Sequence, residues 1–154
     1  MGVRLRPLHE DEYEDWLHES RDGYERSMVE HGGFPEDEAR EKARDDYARL
    51  LGEGLASPGH DVFVLEEESS GTRVGTLWIA ERPHALAVFD VRVEDGLRGR
   101  GYGRAAMLLA EEEARRRGFD RIVLNVFAGN TVARSLYESL GYQERSVAMS
   151  KSLS

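Results

Sequence analysis

Arg98-Gly99-Arg100-Gly101-Tyr102-Gly103-Arg104 lies between a β-branched strand ending near Val93 and an alanine-rich stretch of helical character. A glycine-dense turn there commits the middle of the chain to a strand–turn–helix unit. The first amides of a helix have no acceptor within it, and the helix dipole puts its positive end at the same point. Such a turn is a natural seat for phosphate oxygens. Glycine keeps side chains out of the ligand's way and permits positive φ. Arg98, Arg100 and Arg104 add charge beside it.

Hydrophobic periodicity places the remaining elements around this turn. Val3–Arg6 alternates and reads as a short first strand. A helix spans His9 to about Val29, with Tyr13, Trp16, Leu17, Tyr24 and Met28 on one stripe and a possible break at Gly23. Pro35 opens a second helix whose inner face carries Ala39, Ala43, Tyr47, Leu50 and Leu51. After a loop over Gly52–Gly59, strands are expected at Asp61–Glu67, Val74–Ala80 and Leu86–Val93. Gly101–Arg117 follows as a helix closed by Gly118, and Arg121–Phe127 as a strand. Asn130 caps a helix over Thr131–Leu140, and a terminal strand is expected over Val147–Lys151. The sum is an α/β chain of one domain, residues 1–154, with antiparallel strands before the turn and a β-α-β crossover after it.

A second block, Asn130-Thr131-Val132-Ala133-Arg134-Ser135-Leu136-Tyr137-Glu138-Ser139-Leu140-Gly141-Tyr142, gives the turn its context. The two blocks in this order resemble the signature of the GNAT superfamily of N-acetyltransferases. Arg98, Gly101 and Gly103 match its Arg/Gln-x-x-Gly-x-Gly/Ala element. Asn130, Ala133, Leu136, Tyr137, Gly141 and Tyr142 match its Asn-x-x-Ala-x-x-Leu-Tyr-x-x-x-Gly-Tyr/Phe element. The likeness runs from about Val91 to Tyr142. It implies a GNAT fold: a mixed, mostly antiparallel sheet of about six to seven strands, flanked by about four helices and splayed at its central parallel strands. It also implies acetyl transfer from acetyl-coenzyme A to an amine by direct attack in a ternary complex; homodimers are common among similar proteins, and the sequence itself does not set the oligomeric state.

On that resemblance, the amides of Arg98, Gly99, Arg100, Gly101, Tyr102, Gly103 and Arg104 hold the pyrophosphate. The backbone of Val91, Arg92 and Val93 pairs with the pantetheine arm like an added strand, which requires this strand to part from Ile122–Val126. Asn130 contacts the cofactor or simply caps its helix. Tyr137 is the candidate acid for the departing thiolate, against a plain role as a core aromatic. Asp90, in an otherwise apolar strand, is the candidate base for the acceptor amine, against a structural ion pair. Some relatives that modify protein N-termini carry an acid where Asn125 stands, and an amide cannot take that role.

Composition narrows the alternatives. The net charge is −9, and residues 9 to 53 hold 16 Asp/Glu against 6 Arg/Lys. This balance argues against a nucleic-acid face and suits either a cationic acceptor or two solvated amphipathic helices. There are no cysteines, and His9, His18, His31, His60 and His84 show no metal-ligand spacing, so no metal is expected. Only His84 is placed near the acceptor cleft, and Trp16, Tyr24 and Trp78 read as core before pocket wall. No apolar run is long enough to span a bilayer, and a cytoplasmic location is the default expectation. Two rivals remain: a non-catalytic acetyl-CoA-binding sensor or scaffold, and a dinucleotide-binding oxidoreductase suggested by Gly101-x-Gly103-x-x-Ala106. Against the latter, Glu94–Arg100 separates the strand from its glycines, and the following strand lacks the terminal acid that would bind a ribose.

Overall fold

The computed structural model describes residues 2–154. Five strands form one sheet in sequence order: β1 (Val3–Pro7), β2 (His60–Glu67), β3 (Arg73–Arg82), β4 (Ala85–Val93) and β5 (Ile122–Leu124). The first three pairings are antiparallel and β4–β5 is parallel. Helices α1 (Tyr13–Gly32) and α2 (Glu36–Leu50) follow β1, α3 (Tyr102–Arg116) links β4 to β5, and α4 (Thr131–Ser139) follows β5.

β3 explains why helices cover both faces. Seven consecutive residues, Val74 to Ala80, are buried, a run that cannot alternate between core and water. Trp78 points toward α1 and α2, packing with Trp16, Tyr47, Val62 and Val64. Leu77 and Ile79 point the other way, against Met107, Ala110 and Ala114 of α3. The small alanines bring the α3 axis close to the sheet. Trp16 and Trp78 meet edge-on at 5.5 Å, and both are core residues rather than pocket walls.

Sequence and structure differ in three places. Gly23 causes no break: α1 runs through it to Gly32, because the apolar stripe on both sides is anchored by tertiary packing. The expected strand Arg121–Phe127 is paired only over Ile122–Leu124, and the chain from Asn125 onward leaves the sheet. The terminal strand is absent: Gln143–Ser154 is exposed throughout and forms no strand. The sheet therefore has five strands, not six or seven, because the expected strands beyond β5 do not form within this chain.

Candidate active site

The parallel pairing of β4 with β5 is short. It joins Leu86, Ala87 and Val88 to Ile122, Val123 and Leu124, and there it stops. On its other side β4 stays paired with β3 as far as Val93, opposite Gly75. From Phe89 to Val93, β4 thus has one satisfied edge and one open edge, the parting of strands that the sequence reading required. Within this stretch Ile79 pairs with Val88 and Trp78 with Asp90, leaving Phe89 as an extra residue. Such a bulge twists the strand and re-aims its side chains. Phe89 stacks on Trp78 at 4.9 Å.

Gly75 holds this part of β4 in place from behind. A β-carbon there would collide with the carbonyl oxygen of Arg92, so only glycine lets the two strands approach this closely.

The end of β4 leads through Glu94–Arg100 to the start of α3. Gly101 is the residue before the helix and has φ +87°. Among the described residues, none of the turn or cap hydrogen bonds takes its N–H from Arg98 to Arg104. Those amides are open at the positive end of a helix of 15 residues. The flanking cations are peripheral: Arg98 pairs with Asp95 at 3.3 Å, and Arg104 donates to Ser139 Oγ at 3.1 Å. Tyr102 can offer only its amide, since its ring is buried and its hydroxyl donates to Glu67. Gly103 faces Leu136, and together with the Arg104–Ser139 bond this sets the start of α3 against α4.

α4 carries Tyr137 into the same region. Asn130 caps this helix, its Oδ1 accepting from the Ala133 amide at 3.2 Å. The Tyr137 ring packs partly buried against the β4–α3 core and meets Tyr142 at 5.9 Å. Burial pushes its phenol pKa up, and the charge of Asp90 pushes it further. At neutral pH Tyr137 is therefore a protonated hydroxyl, a donor within electrostatic reach of a carboxylate.

Asp90 sits in a network that sequence reading missed. Ser20 Oγ donates to Asp90 Oδ2 at 2.6 Å and lies 2.7 Å from Tyr47 Oη. With the serine hydrogen committed to the carboxylate, Tyr47 donates to the serine oxygen. Lost hydration raises the Asp90 pKa to about 6, opposed by the Ser20 bond and by the charge of Arg92. Arg92 itself is incompletely matched: Nη1 lies 3.6 Å from Glu19 Oε2 and has no hydrogen-bond partner. A serine on the apolar stripe of α1, one turn after Trp16 and one before Tyr24, was the available signal. Its buried position marks it as a polar group with a partner to find.

Other candidates fall elsewhere. His84 lies in the β3–β4 turn beside a surface depression lined by Pro83, Gly118 and Phe119, at the opposite end of β4 from Val91–Val93. Tyr24 is held by the α1–α2 packing and donates to Asp46 at 2.8 Å. His60 accepts from the Trp78 indole at 3.0 Å. His9, Asp11 and Glu12 bring possible ligand atoms within 4.8 Å of one another, but Arg6 already occupies the Glu12 carboxylate.

A sheet parted along β4, an open helix start and a tyrosine on the next helix together define a recognisable class. The family model described as "Acetyltransferase (GNAT) family" matches residues 7–142, and the chain belongs to that family. Over 99% of its length it is 32% identical to the whole of "Uncharacterized N-acetyltransferase YycN" of Bacillus subtilis. The crystal structure of putative acetyltransferase YycN superposes with a TM-score of 0.89 at 32% identity, covering 98% of each chain. PaiA N-acetyltransferase from Thermoplasma acidophilum, solved in complex with coenzyme A, shares the fold alone: TM-score 0.72, 18% identity, 96% of this chain and 94% of that one. The protein is an acyltransferase of the GNAT type.

Proposed function

We propose that the protein transfers an acetyl group from acetyl-coenzyme A to a primary amine, by direct attack while both substrates are bound. One observation carries the reading: the open edge of β4 from Phe89 to Val93 runs directly toward the open amides at the start of α3. A ligand with a diphosphate at one end and two amides along its arm fits both features at once. Coenzyme A is such a molecule, and PaiA, which has the same fold, binds it.

In this reading the amides of Arg98–Arg104 bind the diphosphate, with Gly101 and Gly103 leaving the approach clear. Val91 and Val93 pair with the pantetheine amides as a neighbouring strand would, and Arg92 shares that stretch. The same main-chain amides would then polarise the thioester carbonyl. Asn130 orients α4 by its cap, and in this reading its side chain also contacts the coenzyme.

The chemistry divides between two side chains. Asp90, with its pKa near 6, is ionised at neutral pH yet basic enough to take a proton from an ammonium acceptor, directly or through water. Ser20 and Tyr47 keep its carboxylate oriented. Tyr137, protonated at neutral pH, donates to the sulfur as the coenzyme leaves. The acidic α1–α2 arm favours a cationic acceptor, whether a small amine or a peptide amine, and disfavours nucleic acid. A cytoplasmic site of action belongs to the same reading. Among the described residues no helix is long and apolar enough to cross a membrane.

The test is release of free thiol from acetyl-coenzyme A with a panel of chemically diverse amines, each product checked by mass. A gain of one acetyl group on an amine supports the reading. Tight coenzyme binding with no transfer to any amine would contradict it.

A further inference from the structure

The face of β4 beneath α1 carries two charges of opposite sign. Asp90 stands opposite Trp78 and Arg92 opposite Thr76, in a regular register, so both side chains project to the face on which Trp78 meets α1. Consecutive residues of α1 reach them: Ser20 donates to Asp90 at 2.6 Å, and Glu19 lies 3.6 Å from Arg92. The two contacts are unequal. Ser20 is buried and its bond is short, whereas Glu19 is 54% exposed and its carboxylate is too distant for a hydrogen bond.

Arg92 is therefore a cation without a proper acceptor. Its Nη1 is buried and has no hydrogen-bond partner among the described residues. The neighbouring cation is satisfied: Arg73 donates to Glu94 at 2.8 Å and lies 3.7 Å from Glu12. Buried polar atoms in native proteins seldom go unpaired, and the acceptor that suits a guanidinium best is a carboxylate, which can take two of its N–H groups at once. The hollow at Arg92, lined by Glu19, Arg73, Thr76, Val93 and Glu94, measures about 10 Å³ with Glu19 in place. No ligand group fits until Glu19 turns outward, a movement open to a half-exposed side chain on a helix surface.

We propose that the acceptor is a free amino acid, whose carboxylate displaces Glu19 from Arg92 while its ammonium meets Asp90. This rests on the reading of Asp90 as the acceptor's base, and it is separate from the main-chain role given to Arg92. Positions two apart on a strand stand about 7 Å from one another, so the pair suits an amine and a carboxylate on the same carbon or on neighbouring carbons. A peptide amine has a neutral amide in place of that carboxylate and leaves Arg92 unmatched. In the transfer, the amine nitrogen bonds to the acetyl carbon as the carbon–sulfur bond breaks. One ammonium proton passes to Asp90, and one ends on the coenzyme thiol through Tyr137. Arg92 selects the acceptor and moves no proton.

The test compares two series on the full chain: L-arginine, agmatine and L-argininamide, and L-leucine, isoamylamine and L-leucinamide. Each offers one amine beside a carboxylate, beside no such group and beside a neutral amide, and the last two bracket the basicity of the first. By free-thiol release and product mass, the amino acid of at least one series is expected to exceed both of its analogues in kcat/KM by on the order of 10²-fold. Arg92→Met should bring that ratio near one. Glu19→Gln should widen it, lowering KM for the amino acid and not for the plain amine, and should have no effect on the ratio in the Arg92→Met chain. If Arg92→Met does not fold, Glu19→Gln still decides, because Glu19 is half exposed. Transfer without preference for the carboxylate, transfer to other amines alone, a preference that survives Arg92→Met or a ratio unmoved by Glu19→Gln each overturns this inference and leaves acetyl transfer standing. Transfer to no amine overturns both.

Discussion

Asp90 and Tyr137 are the residues on which the proposed chemistry turns, and each makes a distinct prediction. The Asp90 pKa, about 6, lies above its ordinary 3.8 because burial disfavours the charged form. A base must be ionised, so kcat/KM is expected to rise with pH through an apparent pKa near 6. Asp90→Asn should remove that limb and lower the rate by roughly 10²–10⁴-fold. Stability runs the other way: the folded state binds the proton more tightly, so this group costs stability as pH rises from about 4 to about 6. Losing Ser20 removes a donor that favours the carboxylate, so Ser20→Ala should move the activity limb to higher pH without abolishing it. A limb unmoved by that change would remove Ser20 from the role. Tyr137→Phe is expected to lower turnover by on the order of 10²-fold while acetyl-coenzyme A affinity, measured by calorimetry, changes little. Unchanged turnover would leave Tyr137 as packing alone.

At the scale of elements, the groove depends on two glycines that fix where backbone stands. Gly101 at φ +87° opens α3, and a β-branched residue there carries a strain cost of about 1–3 kcal/mol. Gly101→Val is expected to weaken acetyl-coenzyme A binding at least tenfold in calorimetry, and full affinity would discredit the amide cradle. Gly75→Ala puts a methyl group into the Arg92 carbonyl and is expected to lower stability by about 1–3 kcal/mol in urea unfolding. The alanine chain should also bind coenzyme more weakly, since β4 must shift toward the open edge. Much at this scale was legible in the sequence. The Gly101 turn, the Asn130 cap and the apolar stripe of α2 are local signals that fell within a residue or two of their elements, whereas the first helix, expected from His9 to Val29, runs from Tyr13 to Gly32. The Gly75 contact was not legible, because it depends on which strand lies opposite.

The whole molecule shows what local signals omit. Pairing along β4–β5 ends at Val88–Leu124, and nothing in the strand sequences marks that point; the family resemblance alone suggested the parting. Val147–Lys151 reads as a strand by alternation, yet it pairs with no neighbouring strand in this chain. The Asp90–Ser20–Tyr47 network joins residues as many as 70 positions apart, and only the packing of α1 and α2 on the sheet brings them together. The proposed function draws on the whole fold: β3 backs β4, α3 and α4 flank its open edge, and α1 and α2 hold the Asp90 carboxylate. Amide hydrogen exchange with and without acetyl-coenzyme A tests this arrangement most directly. Slowed exchange is expected at Val91, Val93 and the amides of Arg98–Arg104, with β1 and β2 unchanged. Slowing confined to other segments, or none at saturating ligand, would contradict it.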